Sequence, residues 1–161
     1  TGALLRCAFE LGGNAAGVNG HVRSTLSELG RAVGRAFQIQ DDLLGIWGKA
    51  DVLGKGTGAD IRRRKKTLPV VLLFEHANGE EDEATLERLY NSARTSETEI
   101  AEADVAWVVG RLDGLGIRAT CKKMVRRYLD EAVDQLQQLP FSADGLSQME
   151  ELIDFLARRQ K

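Results

Sequence analysis

The sequence predicts an all-α protein. Three observations carry that reading. Apolar residues recur with the 3.6-residue period of a helix through most of the chain, no segment shows the strict alternation of a half-buried strand, and the breaks between periodic segments fall at glycine, proline or short polar runs. The number of periodic segments favours a helical bundle.

Residues 1 to about 11 read as a short helix ended by Gly12-Gly13. A long helix follows from about Asn19 to Trp47, with Val22, Leu26, Leu29, Val33, Ala36 and Phe37 along one face. Residues 48–66, rich in glycine and charge, read as a loop. Thr67 is placed to cap the next helix, with Pro69 in its first turn, where a missing N–H costs little. Shorter helices are expected at about 82–93 and 97–112. A long one at about 115–138 carries Ile117, Cys121, Met124, Val125, Tyr128, Ala132, Val133 and Leu136. Phe141-Ser142 leads into a last helix with Leu146, Met149, Leu152, Ile153 and Leu156 at helical spacing, and a basic end that suits a helix C-terminus. The chain opens on Thr1-Gly2-Ala3-Leu4-Leu5 with no Met, and the expectation is that an N-terminal part is absent from it.

Its 161 residues suffice for one domain with a proper core, and 43% hydrophobic with 29% charged content describes a soluble globular chain. A net charge of −2, from 22 basic and 24 acidic residues, argues against nucleic-acid binding by overall attraction. Cys7 and Cys121 lack metal-type spacing and fall within apolar helical patterns, so both are expected to be reduced, buried thiols of a cytoplasmic protein. His21 and His76 read as ordinary helix residues, and no apolar run approaches the roughly 18 residues of a transmembrane segment.

The stretch FQIQDDLLGIWG, Phe37 to Gly48, sets Asp41 and Asp42 in an otherwise apolar helical run. Ionised carboxylates are costly to desolvate unless a cation or water meets them. Gln38 and Phe37 precede Asp41 by three and four residues and share its face. The following loop, GKADVLGKGTGADIRRRKK, offers flexible glycines and a concentration of Lys and Arg. Carboxylate oxygens suit Mg²⁺, lysines neutralise phosphate oxygens and glycines admit backbone N–H groups, so the combination reads as a magnesium–phosphate site. Taken singly, the acidic pair reads as a solvated helix end and Arg62-Arg63-Arg64-Lys65-Lys66 as a solvated charge run or a targeting patch.

FQIQDD, then Gly54-Lys55, Gly58, Asp60 and Lys65-Lys66-Thr67, resembles the second aspartate-rich region of the trans-isoprenyl diphosphate synthases, the polyprenyl synthetase family. The resemblance is strongest from Phe37 to Pro69 and extends back to Thr1. It implies an isoprenoid-synthase-type helical bundle, with residues 1–161 as the C-terminal part of a single domain whose first aspartate-rich motif lies outside this chain. The implied activity is that of a prenyltransferase, a short-chain polyprenyl diphosphate synthase. It joins an allylic diphosphate to isopentenyl diphosphate head to tail by Mg²⁺-assisted ionisation, usually as a homodimer, and the isolated segment is expected to be inactive.

Carried over by position, the resemblance makes Asp41 a direct Mg²⁺ ligand and Asp42 its support. Gln38 hydrogen-bonds near the allylic diphosphate, Lys55 and Lys65 hold diphosphate oxygens, Thr1 follows a diphosphate-binding lysine and Phe37 lines the pocket. Asp41 and Lys55 are the expected catalytic groups. One departure stands out: Gly45 occupies the position of the motif's third aspartate, one turn past Asp41. That departure leans towards the alternative, a non-catalytic diphosphate-binding or regulatory subunit. A helical protein-binding module is a third reading, and it leaves the ordered Gly-Lys, Gly-x-Asp and Lys-x-Thr spacing unexplained.

Overall fold

The computed structural model of the chain describes residues 1–48, 57–77, 79–91 and 99–157. Every regular element among them is helical: α1 (Gly2–Ala15), α2 (Gly20–Trp47), α3 (Ala59–Arg62), α4 (Leu68–His76), α5 (Glu80–Tyr90), α6 (Glu102–Gly114), α7 (Ile117–Gln137) and α8 (Ala143–Ala157). The chain divides into two compact units. One comprises the described residues of 1–40 and 122–157, the other those of 41–121.

In the first unit, the apolar stripe of α2 supplies Leu26, Leu29, Ala32 and Val33, which cluster with Ala132 and Leu136 of α7, Leu139, and Ile153 of α8. Leu29 and Leu136 are fully buried, and each such side chain stabilises by roughly 1.5–3 kcal/mol relative to exposure. Side-chain oxygens start two of these helices. The Val22 N–H donates to Asn19 Oδ1 at 3.0 Å, and the Gly145 N–H to Ser142 Oγ at 3.2 Å.

Helix α1 runs past the glycine pair expected to end it. Gly13 is buried inside the helix, and a Cβ there would lie 2.7 Å from Leu26 Cδ1, so this glycine serves close packing. The stop comes at Gly17, whose φ of +65° takes the left-handed region, with Val18 N–H donating to Gly13 O and Gly17 N–H to Asn14 O. That pair of bonds is a Schellman ending. Glycines also let α1 approach α2: a Cβ at Gly34 would lie 2.7 Å from Gly2 Cα, and one at Gly30 2.8 Å from Arg6 Cα. Cys7, expected to be buried, is exposed on α1, while Cys121 is buried as expected.

In the second unit, α6 packs on α3 and α4. Ion pairs tie its elements: Arg62 with Glu102 at 2.7 Å, Arg88 with Asp104 at 2.8 Å, and Arg111 with Asp82. The Phe74 and Tyr90 rings meet edge to face at 5.7 Å. Four acidic residues, Glu80 to Asp82 and Glu83, open α5, where the helix dipole favours them. The segment read as a loop contains the short helix α3, and the helix expected from about residue 97 starts at Glu102. Arg64 takes a left-handed φ of +53°, held by its Nε donating to Leu89 O at 2.9 Å. None of the described helices is long and apolar enough to cross a membrane.

Candidate functional site

The last turns of α2 organise the second unit's candidate site. Trp47 is fixed by an Nε1–H donated to Asp113 Oδ1 at 3.0 Å and by the Arg118 guanidinium 5.4 Å from its ring centroid. The Ile46 carbonyl accepts the Gly58 N–H at 2.8 Å, which brings the returning chain onto the helix end. Gly58 has φ +82°, and a Cβ there would lie 2.5 Å from Val105 Cγ1, so both conformation and space call for glycine. Helix α3 begins at the next residue.

Asp60, in the first turn of α3, is 7% exposed. Its Oδ1 pairs with Lys65 Nζ at 2.7 Å, and its backbone carbonyl accepts the Lys65 N–H at 3.0 Å. Its carboxylate fills the place of a side chain at position 45: a Cβ built on Gly45 would lie 2.5 Å from Asp60 Cγ and nearer still to Oδ2. A buried carboxylate is costly unless paired, and Lys65 supplies that pair. Sequence reading missed this role for Asp60. The available signal was Gly45 itself, a glycine inside a long helix, which marks a close approach when nothing else requires it.

The two adjacent aspartates part company. Asp42 is buried and its Oδ2 accepts the Leu68 N–H at 3.0 Å, so it satisfies the first turn of α4. Thr67 occupies the expected cap position with Pro69 in the first turn, yet its side chain makes no capping bond. The Thr67 hydroxyl oxygen is buried without a partner among the described residues. The capping role read for Thr67 is therefore filled by Asp42, whose carboxylate reaches the helix start from α2. Asp41 is exposed on the same helix. Burial pushes the Cys121 thiol up to about 11, with the Asp42 charge adding to the effect.

The basic run is not a uniformly solvated patch. Arg62 pairs with Glu102 and donates to Thr57 O, Arg64 binds Leu89 O, Lys65 pairs with Asp60, and Lys66 Nζ donates to Asn91 Oδ1 at 3.0 Å. Burial raises the Tyr90 phenol well above its ordinary value; nearby Arg64 opposes that shift and Asp60 adds to it.

Of the predicted site residues, Asp42 and Lys65 belong to this arrangement, the former through α4 and the latter through Asp60. Lys55 and Gly54 lie outside the described residues. Phe37 and Gln38 are half-buried on α2 within the first unit, and Thr1 is the exposed N-cap residue of α1. The first unit also has an apolar cleft of about 550 Å³, lined by residues including Phe9, Val22, Leu26, Phe141 and Met149, and it contains none of the predicted site residues. Asp41 and Asp42 are hard oxygen donors of the type that suits Mg²⁺. Among the described residues no group of three or more His, Cys, Asp or Glu side chains is placed to hold a metal ion.

The fold is that of solved prenyl synthases. A polyprenyl synthetase from Streptomyces coelicolor superposes over 97% of this chain and 46% of its own, with TM-score 0.82 and 33% identity. A polyprenyl synthase from Caulobacter crescentus, solved in complex with calcium and isoprenyl diphosphate, matches 98% of this chain and 46% of its own at TM-score 0.79 and 31% identity. In sequence, the chain is 32% identical over 99% of its length to a (2E,6E)-farnesyl diphosphate synthase of Mycobacterium bovis, covering 44% of that protein. It is 33% identical over its whole length to the geranylfarnesyl diphosphate synthase of Aeropyrum pernix, covering 48%. The polyprenyl synthetase family pattern matches residues 1–106. The chain belongs to the polyprenyl synthetase family, and it spans less than half the length of these relatives.

Proposed function

We propose that the complete protein is a prenyltransferase that condenses an allylic diphosphate with isopentenyl diphosphate head to tail, giving a longer trans-prenyl diphosphate. This chain would be the C-terminal part of its single synthase domain. The observation that carries the reading is the grouping at the end of α2. Exposed Asp41 is followed one turn later by Gly45, against which Asp60 holds the Lys65 ammonium. An exposed carboxylate suits a metal ion and an anchored, half-exposed lysine suits a diphosphate oxygen.

In this reading Asp41 ligates Mg²⁺ directly and Asp42 supports that site while holding the start of α4. Bound Mg²⁺ would supply charge stabilisation to the departing diphosphate. Lys65 and Lys55 take diphosphate oxygens, Gln38 hydrogen-bonds near the allylic diphosphate, Thr1 contributes to substrate binding, and Phe37 lines the pocket that excludes water. Homodimeric assembly and a cytoplasmic location belong to the same proposal. Support comes from the relatives, farnesyl, geranylfarnesyl and geranylgeranyl diphosphate synthases among them. Gly45, which in sequence leans towards a non-catalytic subunit, has a packing reason in the Asp60 carboxylate.

The test is a turnover assay on the complete protein with Mg²⁺, isopentenyl diphosphate and allylic primers of different lengths. A longer prenyl diphosphate is expected from the complete protein and none from residues 1–161 alone. Absence of product from the folded, complete protein with every primer would refute the assignment.

A further inference from the structure

We propose that Asp60 is a positioning residue for diphosphate capture, and that Gly45 is the vacancy that admits it. The inference rests on the reading of Lys65 as a diphosphate-binding cation. The segment that carries Asp60 is stapled beside the end of α2. Gly58 N–H is bonded to Ile46 O, Ile61 is fully buried, and Arg62 is tied to both Glu102 and Thr57 O. From that support the Asp60 carboxylate enters the space where a residue at 45 would have its Cβ.

Lys65 is held by Asp60 twice, ammonium to carboxylate at 2.7 Å and backbone N–H to carbonyl at 3.0 Å. The burial of the two partners is unequal: the Asp60 side chain is 9% exposed and that of Lys65 50%. An ammonium has three N–H donors, and the bond to Oδ1 takes one. Lys65 is thereby a cation fixed at one donor and open to solvent along half its surface. Fixing it lowers the ordering cost of gripping a diphosphate, which a long free lysine would otherwise bear on binding. A side chain at 45 would push the carboxylate away and release that grip. Gly45 thus leaves room for a carboxylate from α3 that acts through a lysine.

The test compares D60N, K65A, D60N/K65A, G45A, D60G and G45A/D60G in the complete protein. The readouts are KM for the allylic diphosphate, kcat, binding of inorganic diphosphate with Mg²⁺, and thermal unfolding. Asn at 60 keeps the shape and removes the charge, so KM and the diphosphate Kd should rise about tenfold, the size of one charge-assisted bond, with kcat changed far less. The double variant D60N/K65A should be no worse than K65A. G45A should reproduce the D60N defect and add nothing in the D60G background, where its Cβ has nothing to displace. If K65A weakens binding but D60N and G45A leave KM and Kd unchanged, the positioning role fails while the reading of Lys65 stands. If K65A itself binds diphosphate normally, that reading fails and this inference with it. Additive effects of D60N and K65A, or of G45A and D60G, would equally overturn it.

Discussion

The carboxylate of Asp42 on α2 accepts the backbone N–H of Leu68, the first residue of α4, at 3.0 Å. A helix start carries unsatisfied N–H groups and a partial positive charge, and a buried carboxylate meets both needs. Asp42→Ala should therefore cost about 1–3 kcal/mol in urea unfolding of the complete protein, because the donor is left unpaired. Asp42→Asn retains an acceptor oxygen and should cost less. Equal losses for the two variants would mean that the bond does not carry the effect.

Asp41 should behave in the opposite way. It is exposed, so Asp41→Asn should leave stability within about 0.5 kcal/mol. Under the proposed function the same change should lower kcat by at least about 100-fold, as removal of one transition-state stabilising group does, and shift the Mg²⁺ dependence upward. Full activity in Asp41→Asn would remove it from the metal site.

The close passage of α1 over α2 predicts a contrast between glycines. Ala is intrinsically better than Gly in a helix by about 1 kcal/mol. At Gly12, with nothing within 4 Å of a new Cβ, Gly→Ala should realise part of that gain. At Gly34 the Cβ would meet the Gly2 backbone at 2.7 Å, so Gly34→Ala should destabilise by about 1–3 kcal/mol. Denaturant midpoints of the two variants should move in opposite directions.

Cys121 predicts an alkaline effect with a definite sign. Its folded thiol is pushed up to about 11 by burial, from an ordinary value of 9.0, so the folded state holds the proton that the unfolded state releases first. The contribution is fully present below the unfolded value and is lost as pH rises through the folded one. Stability should thus fall between about pH 9 and 11 by on the order of 2–3 kcal/mol from this group alone. Cys121→Ala should unfold more easily near neutrality, yet show a shallower decline over that alkaline range.

Much of the helical order was legible because periodicity is a local signal. The start of α2 at Asn19, the break after Trp47 and the last helix after Ser142 follow from caps and apolar spacing. Gly12-Gly13 misled because a glycine pair reads the same whether it ends a helix or lets one pack closely, and only the neighbouring Leu26 decides. Cys7 misled because apolar spacing marks a face without saying what covers it. The site was legible as a set of residue types and opaque as a set of partners. Asp42 with Leu68, and Gly45 with Asp60, are separated by 26 and 15 positions, and no sequence window joins them.

The run Arg62 to Lys66 ends up as a set of addressed ties rather than a quantity of charge. Arg64, at a left-handed φ of +53°, sends its Nε to Leu89 O, and Lys65 at the next position meets Asp60. Exchanging those two residues would leave composition, net charge and isoelectric point untouched while misdirecting both ties. For this stretch the order of the letters carries the information, and any comparison that scores Arg and Lys as equivalent discards it.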